Sequence, residues 1–102
     1  MGRLSARQHG AVTVRTIFKY PLEIPWTTLA LPVGAVVLTV QLQGDVPTLW
    51  AIVDDEKPKA PRRFATLGTG HPFPWKRGTE YTYLSTVQMR HGIVLHVFEE
   101  LA

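Results

Sequence analysis

Apolar and polar residues alternate with a period of two over most of the chain from Val12 onward. The clearest case is residues 35–43, where Val36, Leu38 and Val40 would fall on one face and Val37 on the other. No long window shows the period of an amphipathic helix. The pattern therefore predicts an all-β chain.

Turn residues divide this pattern into short strands. Gly44 separates the strands 35–43 and 48–53, and Gly92 separates 81–89 from 93–99, so residues 35–53 and 81–99 are predicted hairpins. Further strands are predicted at 14–20, 27–31 and 62–67, and Pro32-Val33-Gly34 predicts a third hairpin before residue 35. About six to seven short strands with this spacing are typical of a small antiparallel β-sandwich or barrel.

Two segments, at the N-terminus and at residues 68–77, lack the alternation that is typical of strands. Residues 1–11 combine Gly, Arg, Ser and His without any apolar period, so we predict a flexible N-terminal tail followed by a single all-β domain over residues 12–102. Residues 68–77 contain Gly68, Gly70, Pro72 and Pro74, and this predicts a long loop.

Inward-facing positions of the predicted strands define the expected core. It comprises Phe18, Leu29, Val36, Leu38, Val40, Leu49, Ala51, Val53, Leu95, Val97 and either Leu84 or Val87. Apolar residues also occur on the second face of the central strands, which therefore needs a cover. A symmetric contact with another copy would supply one, so we predict a homo-oligomer with Trp50 and Phe98 near the contact. The alternative is that residues 21–26 and 68–77 fold over that face within one chain.

The amino-acid composition excludes several classes of chemistry. The 102 residues include no cysteine, which excludes disulfides, thiolate metal sites, iron–sulfur clusters and a cysteine nucleophile. No apolar run approaches the ~20 residues that span a bilayer, and residues 1–10 lack the apolar stretch of a secretory signal. The sequence therefore predicts a cytoplasmic protein that does not contact membranes, and we expect no cofactor.

Charge is distributed in blocks behind the net charge of +3. Residues 57–77 hold six basic residues and no acidic one, namely Lys57, Lys59, Arg62, Arg63, Lys76 and Arg77. Such clustering favours anionic partners, and the alternative is an ordinary solvated loop.

Aromatic and basic residues interleave within that block, from His71 to Arg77. Rings can stack on bases while nearby cations hold phosphates, so this segment predicts a site for an anionic, nucleotide-like ligand. In this prediction Phe73 or Trp75 stacks and His71 donates a hydrogen bond, while the phosphates meet Arg62, Arg63, Lys76 and Arg77. The alternative is that Phe73 and Trp75 cap the open end of the sandwich.

Catalytic and metal motifs are weak by comparison, and we predict neither catalytic residues nor a metal site. The histidines His71, His91 and His96 lack a ligand spacing. Ser85 lies in mid-strand without a nucleophile elbow. Gly68-Thr69-Gly70 lacks the third glycine of a dinucleotide fingerprint, and Pro72 excludes the helix that such a motif requires.

Several strings are together distinctive, above all Gly68-Thr69-Gly70-His71-Pro72 and Trp50-Ala51-Ile52-Val53-Asp54. From about residue 14 to 99 the chain resembles a family of small, uncharacterised bacteriophage and prophage proteins, a domain of unknown function. The resemblance implies a phage context and a host-cytoplasm location. It also raises Trp50, Gly68, Gly70 and His71 as positions of interest, without assigning an activity.

Three functions follow as hypotheses. The first is a non-enzymatic phage accessory binding protein, in a counter-defence role, that captures an anionic nucleotide-like ligand. The second is a protein–protein inhibitor or assembly module that acts on a host or virion protein through sheet edges and aromatic loops. The third is a hydrolase of a phosphorylated signal, which would require metal-dependent turnover.

Overall fold

Residues 14–101, the part of the chain that the computed structural model describes, form seven strands in two antiparallel sheets. The all-β prediction is confirmed, and the predicted tail at residues 1–11 lies outside the described residues. A short 3-10 turn at Arg90–Gly92 joins the last two strands. The strands are β1 (Thr16–Pro21), β2 (Trp26–Pro32), β3 (Val36–Gln43), β4 (Val46–Val53), β5 (Lys59–Gly68), β6 (Glu80–Gln88) and β7 (Val94–Leu101).

The strands are ordered β1-β4-β3 in a three-stranded sheet and β2-β5-β7-β6 in a four-stranded sheet. Strands β3 and β4 pair, as do β6 and β7, so both of the long predicted hairpins are confirmed. The sheets enclose the core and meet along one side at β3 and β6, where the Val40 amide donates to Ser85 Oγ at 3.1 Å.

The predicted hairpin at Pro32-Val33-Gly34 is wrong, because β2 and β3 belong to different sheets. The turn itself is present, since Gly34 has φ +85° and the Ala35 amide donates to the Pro32 carbonyl at 3.1 Å. Strand β2 pairs with β5 instead. Turn residues specify that the chain reverses, but they do not specify which strand becomes the partner.

A β-bulge in β3 corrects two predicted core residues. The register shifts between Val37 and Thr39, so Leu38 is an extra residue that has no partner in β4. The alternation therefore changes face at this point, and Val37 and Val40 both lie on the core side. Val36 and Leu38 are 56% and 47% exposed, contrary to the prediction.

A second bulge lies between Tyr83 and Ser85 in β6, so Tyr83 and Val87, which strict alternation would place on one face, lie on opposite faces. Val87 is buried in the core, whereas Tyr83 is 56% exposed on the outer face of the four-stranded sheet. The extra residue, Leu84, is partly buried against the core.

The core lies between the sheets and includes most of the expected residues. Val40, Leu49, Ala51, Val53, Leu95 and Val97 are buried as predicted, and Phe18 and Leu29 are partly buried against them. Sequence reasoning missed Phe64, which is fully buried although its neighbour in β5 is an arginine. It also missed Leu22 and Leu31. No helix among residues 14–101 is long and apolar enough to cross a membrane.

The outer faces of the two sheets differ. The 69–79 loop folds back over the four-stranded sheet, where the Phe73 ring lies 5.0 Å from the Phe98 ring. This is part of the intrachain cover considered as the alternative to association. Trp50 lies on the outer face of the opposite sheet, in register with Lys19. One two-fold contact would therefore involve Trp50 or Phe98 but not both, and association stays a prediction.

Candidate ligand-binding site

Five aromatic side chains form a continuous cluster on the outer face of the four-stranded sheet, which we call the aromatic shelf: Phe73, Trp75, Tyr81, Tyr83 and Phe98. Phe73 is central, with its ring centroid 5.2 Å from Trp75 and 4.9 Å from Tyr81. The Trp75 and Tyr81 rings stack at 5.6 Å with planes 28° apart. These separations are typical of favourable aromatic pairs, so the rings hold one another in place.

Strand register and loop sequence together build the shelf. Tyr81 and Tyr83 are two residues apart in β6 and so share a face, and Tyr83 pairs directly with Phe98 of β7. In the loop, the Trp75 amide donates to the Phe73 carbonyl at 2.7 Å. The Tyr81 hydroxyl lies 2.8 Å from the Pro74 carbonyl oxygen and ties the loop to the sheet.

The aromatic side chains of the shelf differ in solvent exposure. Phe73 is 37% exposed and is surrounded by three other rings, so it anchors the loop to the sheet. This fits the alternative interpretation, in which Phe73 packs against the sandwich rather than binding a ligand. Trp75 is 71% exposed and Tyr83 56% exposed. Trp75 therefore offers a fixed, solvent-accessible ring surface to a flat ligand.

Two cations border the shelf and share one carboxylate. Arg63 Nη1 lies 3.5 Å from Glu100 Oε1, and Lys76 Nζ lies 3.8 Å from Glu100 Oε2. Both distances exceed the ~2.8 Å of a charge-assisted hydrogen bond, so the cations retain donors for another acceptor. The Arg63 guanidinium also lies 3.9 Å from the centre of the Trp26 ring, which leaves its edges open.

Tyr81 connects the shelf to these charges, because its hydroxyl also lies 3.1 Å from Glu100 Oε2. Burial and the Glu100 carboxylate raise the pKa of Tyr81, and Arg63 partly opposes this shift. The phenol therefore stays protonated at neutral pH and can donate to Glu100 or to Pro74.

A charged cleft of about 460 Å³ adjoins the shelf beside the end of β7. Three cations and two carboxylates are among its lining residues, so its side chains carry a net positive charge. The lining consists of Pro61, Arg62, Arg63, Lys76, Thr79, Glu99, Glu100 and Leu101.

Arg62 has a different environment from Arg63, although both were predicted to contact phosphates. Adjacent residues of a strand point to opposite faces, and Arg62 lies on the inner side. Its Nε and Nη2 donate to Glu99 at 2.6 and 2.8 Å, and its Nη1 donates to the Ala35 carbonyl at 2.7 Å. The hydrogen bond to Glu99 raises the pKa of Arg62, and partial burial opposes this shift. Arg62 therefore lines the cleft with its donors already engaged.

The Gly68-Thr69-Gly70-His71 string forms the turn that ends β5. The His71 amide donates to the Gly68 carbonyl at 3.1 Å, and Gly70 has φ +89°, which favours glycine. A β-carbon at position 68 would lie 3.0 Å from His71 Nδ1, so the imidazole covers Gly68. Arg77 is exposed on the same loop, next to Lys76.

The structure thus brings four of the seven predicted site residues into one surface: Arg63, Phe73, Trp75 and Lys76. Sequence reasoning missed its remaining members, namely Trp26, Tyr81, Tyr83, Phe98 and Glu100. The alternation of Tyr81 and Tyr83 was a visible signal, but joining them to Phe98 required the register of β6 against β7.

A metal site would require a cluster of ligand side chains. Within residues 14–101, no three His, Asp or Glu side chains lie close enough together to hold a metal ion.

Comparison with known proteins gives one finding: the profile of a family described as a domain of unknown function, DUF7352, matches residues 13–102. Neither the curated proteins nor the solved structures contain a match to the chain.

Proposed function

We propose that this chain, which belongs to the DUF7352 family of domains of unknown function, is a binding protein for a nucleotide-like ligand. The base stacks on Trp75 of the aromatic shelf, and the phosphate is held by Arg63, Lys76 and Arg77. The observation that supports this most is the direct contact between the shelf and the charged cleft, through Tyr81 and Glu100.

Stacking on Trp75 requires little reorganisation. Trp75 is 71% exposed while its ring is stacked on Tyr81, so its orientation is already fixed. Stacking of a base on an aromatic side chain is worth about 1–3 kcal/mol and tolerates any base. We therefore expect binding with weak preference among bases.

Phosphate recognition is assigned to Arg63 and Lys76 rather than to Arg62. Their contacts with Glu100 are long, at 3.5 and 3.8 Å, whereas Arg62 already makes three short hydrogen bonds. An incoming phosphate can therefore take over donors of Arg63 and Lys76 without breaking a short bond. Arg77, exposed beside Lys76, adds a further cation.

A free nucleotide and the end of a single strand present the same chemistry, a planar base joined to an anionic phosphate. In the phage or prophage context that the resemblance implies, capture of a host nucleotide signal would give the protein a counter-defence role. That context is part of the proposal.

Calorimetric titration of the full chain with cyclic and linear nucleotides, and with a short single-stranded oligonucleotide, tests the proposal. Saturable heat with nucleotides alone identifies a free nucleotide as the ligand, and heat with the oligonucleotide alone identifies a strand end. Absence of heat and of any change in tryptophan fluorescence across the whole panel would refute the proposal.

Two variant pairs locate the site. Trp75→Leu is expected to weaken binding about tenfold or more, the equivalent of the stacking energy, whereas Trp50→Leu on the opposite sheet leaves affinity unchanged. Lys76→Gln is expected to weaken binding and reduce its salt dependence, and exposed Lys57→Gln serves as the control. Equal effects within either pair would place binding elsewhere.

A second candidate function, a protein–protein module, is favoured by the other face of the molecule. Ile17, Val36 and Leu38 of the three-stranded sheet are 57%, 56% and 47% exposed. Apolar exposure of this kind suits a protein partner or a second copy of the chain. A stoichiometric partner that survives nuclease and high salt, and is lost in Leu38→Glu but retained in Trp75→Leu, would support this function over the first.

A further inference from the structure

His96 lies on the outer face of the four-stranded sheet, and both of its ring nitrogens are hydrogen-bonded to hydroxyl groups. Thr69 Oγ1 is 2.6 Å from His96 Nε2, and Thr86 Oγ1 is 3.0 Å from His96 Nδ1. The Tyr83 hydroxyl lies 2.7 Å from Thr86 Oγ1 and extends the chain of hydrogen bonds by one group. Neither the stacking nor the phosphate contacts proposed above use Thr69, His96 or Thr86.

Local structure fixes these groups. Thr86 and His96 are paired residues of β6 and β7, so their side chains share a face. Thr69 directly follows the last residue of β5, and its amide donates to the Val94 carbonyl at 3.2 Å. Gly70 continues the turn with φ +89°, and within the described residues its amide donates to no backbone carbonyl.

We propose that Thr69 and His96 form a nucleophile–base pair that accepts an acyl group from a small activated ester. Thr69 is solvent-exposed and supplies the hydroxyl, and His96 Nε2 accepts its proton. We assign His96 the tautomer in which Nδ1–H donates to Thr86 Oγ1, which leaves Nε2 with a lone pair. The Gly70 amide, one residue after the nucleophile, has the sequence position of the oxyanion donor in the nucleophile elbow of α/β-hydrolases.

The transfer step balances without a further reactant. Thr69 Oγ forms a bond to the ester carbonyl carbon while its proton passes to Nε2. The tetrahedral oxyanion collapses, the bond between carbon and the leaving oxygen breaks, and the leaving oxygen takes the proton from Nε2. Water can later attack the acyl carbon and give a proton to Nε2. The bond between that carbon and Thr69 Oγ then breaks, Oγ takes the proton from Nε2, and the carboxylic acid leaves.

The partner of His96 Nδ1 is a hydroxyl group rather than a carboxylate, and this sets the expected kinetics. A carboxylate stabilises the imidazolium that forms during transfer, and a neutral hydroxyl does so less. This slows both half-reactions, but the good leaving group of an activated ester favours the first, so we expect deacylation to be the slower step and the acyl-threonine to accumulate. The appropriate readout is the covalent adduct rather than rapid turnover.

The test uses the full chain and p-nitrophenyl acetate, with peptide mass mapping to locate the acetyl group. The expected result is acetylation at Thr69, retained in Thr69→Ser and lost in both Thr69→Val and His96→Asn. The matched control is Thr28→Val, an exposed threonine on the same face of the sheet, which should acetylate Thr69 normally.

Two results would overturn the inference. One is acetyl groups confined to lysines of the unaltered chain, a result that needs no variant to fold. The other is unchanged acetylation of Thr69 in His96→Asn, which would show that the imidazole does not activate the hydroxyl. Because nucleotide binding is measured on Trp75 and Lys76, failure here leaves the proposed function unaffected.

Discussion

The Arg62 guanidinium holds the Glu99 carboxylate at two points, with Nε 2.6 Å from Oε2 and Nη2 2.8 Å from Oε1. The side chains are 27% and 10% exposed, so the pair is largely removed from water. Arg62 Nη1 reaches the Ala35 carbonyl just before β3, and one side chain thereby links β5, β7 and the turn between the sheets. Loss of either charge would leave the other one poorly solvated.

Glu99→Gln is therefore expected to lower the free energy of unfolding by about 1–3 kcal/mol. The amide can accept only one of the two hydrogen bonds, and the Arg62 charge is left without its counter-ion. Urea unfolding followed by circular dichroism measures the change. Asp55→Asn is the control, because the Asp55–Lys59 pair is 3.6 Å apart and more than half exposed. Its loss should cost less than ~0.5 kcal/mol, and equal costs for the two variants would contradict the assignment.

Leu95 and Leu38 test the effect of the β3 bulge on the core. Leu95 is 3% exposed, so Leu95→Ala is expected to cost about 2–5 kcal/mol through lost contacts and a cavity. Leu38 is 47% exposed beside the register shift, so Leu38→Ala is expected to cost under ~1 kcal/mol. The difference between the two urea midpoints is the measurement, and similar losses would show that Leu38 is buried in solution.

The contrast between these leucines shows what the sequence could predict. Alternation and turn residues were enough for the two hairpins, because both signals are local. A bulge leaves the alternation in the sequence intact, and it is visible only once β3 is aligned with β4. The turn at Gly34 is a second feature that local sequence does not determine. Its residues are compatible both with a hairpin and with a connection between the two sheets.

The candidate site was predictable where its residues are close in sequence. Phe73, Trp75 and Lys76 lie within one loop, and their interleaving indicated the surface that they form. Glu100 and Phe98 lie in β7, and their positions next to the loop depend on the pairing of β7 with β5 and β6. Arg62 and Arg63 could not be separated by charge alone, because their roles differ by the face on which each one lies.

Thr66 is expected to be a site where a substitution stabilises the protein. It is fully buried, and its hydroxyl has no hydrogen-bond partner among the described residues. A desolvated hydroxyl without a partner costs about 1–3 kcal/mol, and valine has nearly the same shape. Thr66→Val should therefore raise the free energy of unfolding by about 1 kcal/mol. Thr28→Val, at an exposed position of the same sheet, should change it little, and a loss of stability in Thr66→Val would indicate an unseen partner for the hydroxyl.

Glu100→Gln tests the electrostatic link between the shelf and the cleft. Removing the carboxylate leaves Arg63 and Lys76 without their shared anion, so nucleotides should bind more tightly if the proposed site is correct. Independently of any ligand, the pKa of Tyr81 should fall, because the hydrogen bond and negative charge of Glu100 help to raise it. The contribution of burial remains, so the pKa should stay above its ordinary value.

The sign of the associated pH dependence follows from that raised pKa. A phenol whose pKa is higher in the folded than in the unfolded state stabilises the fold while it is protonated, below the unfolded value of about 10. This contribution disappears as the pH rises through the folded-state pKa, so alkaline unfolding should depend less on Tyr81 in Glu100→Gln. Titration of the tyrosine ring resonances by NMR resolves Tyr81 from Tyr20, whose pKa is raised by burial and by Asp55. Glu80→Gln, an exposed change in the same strand, is the control, and a Tyr81 titration that is unaltered by Glu100→Gln would contradict the link.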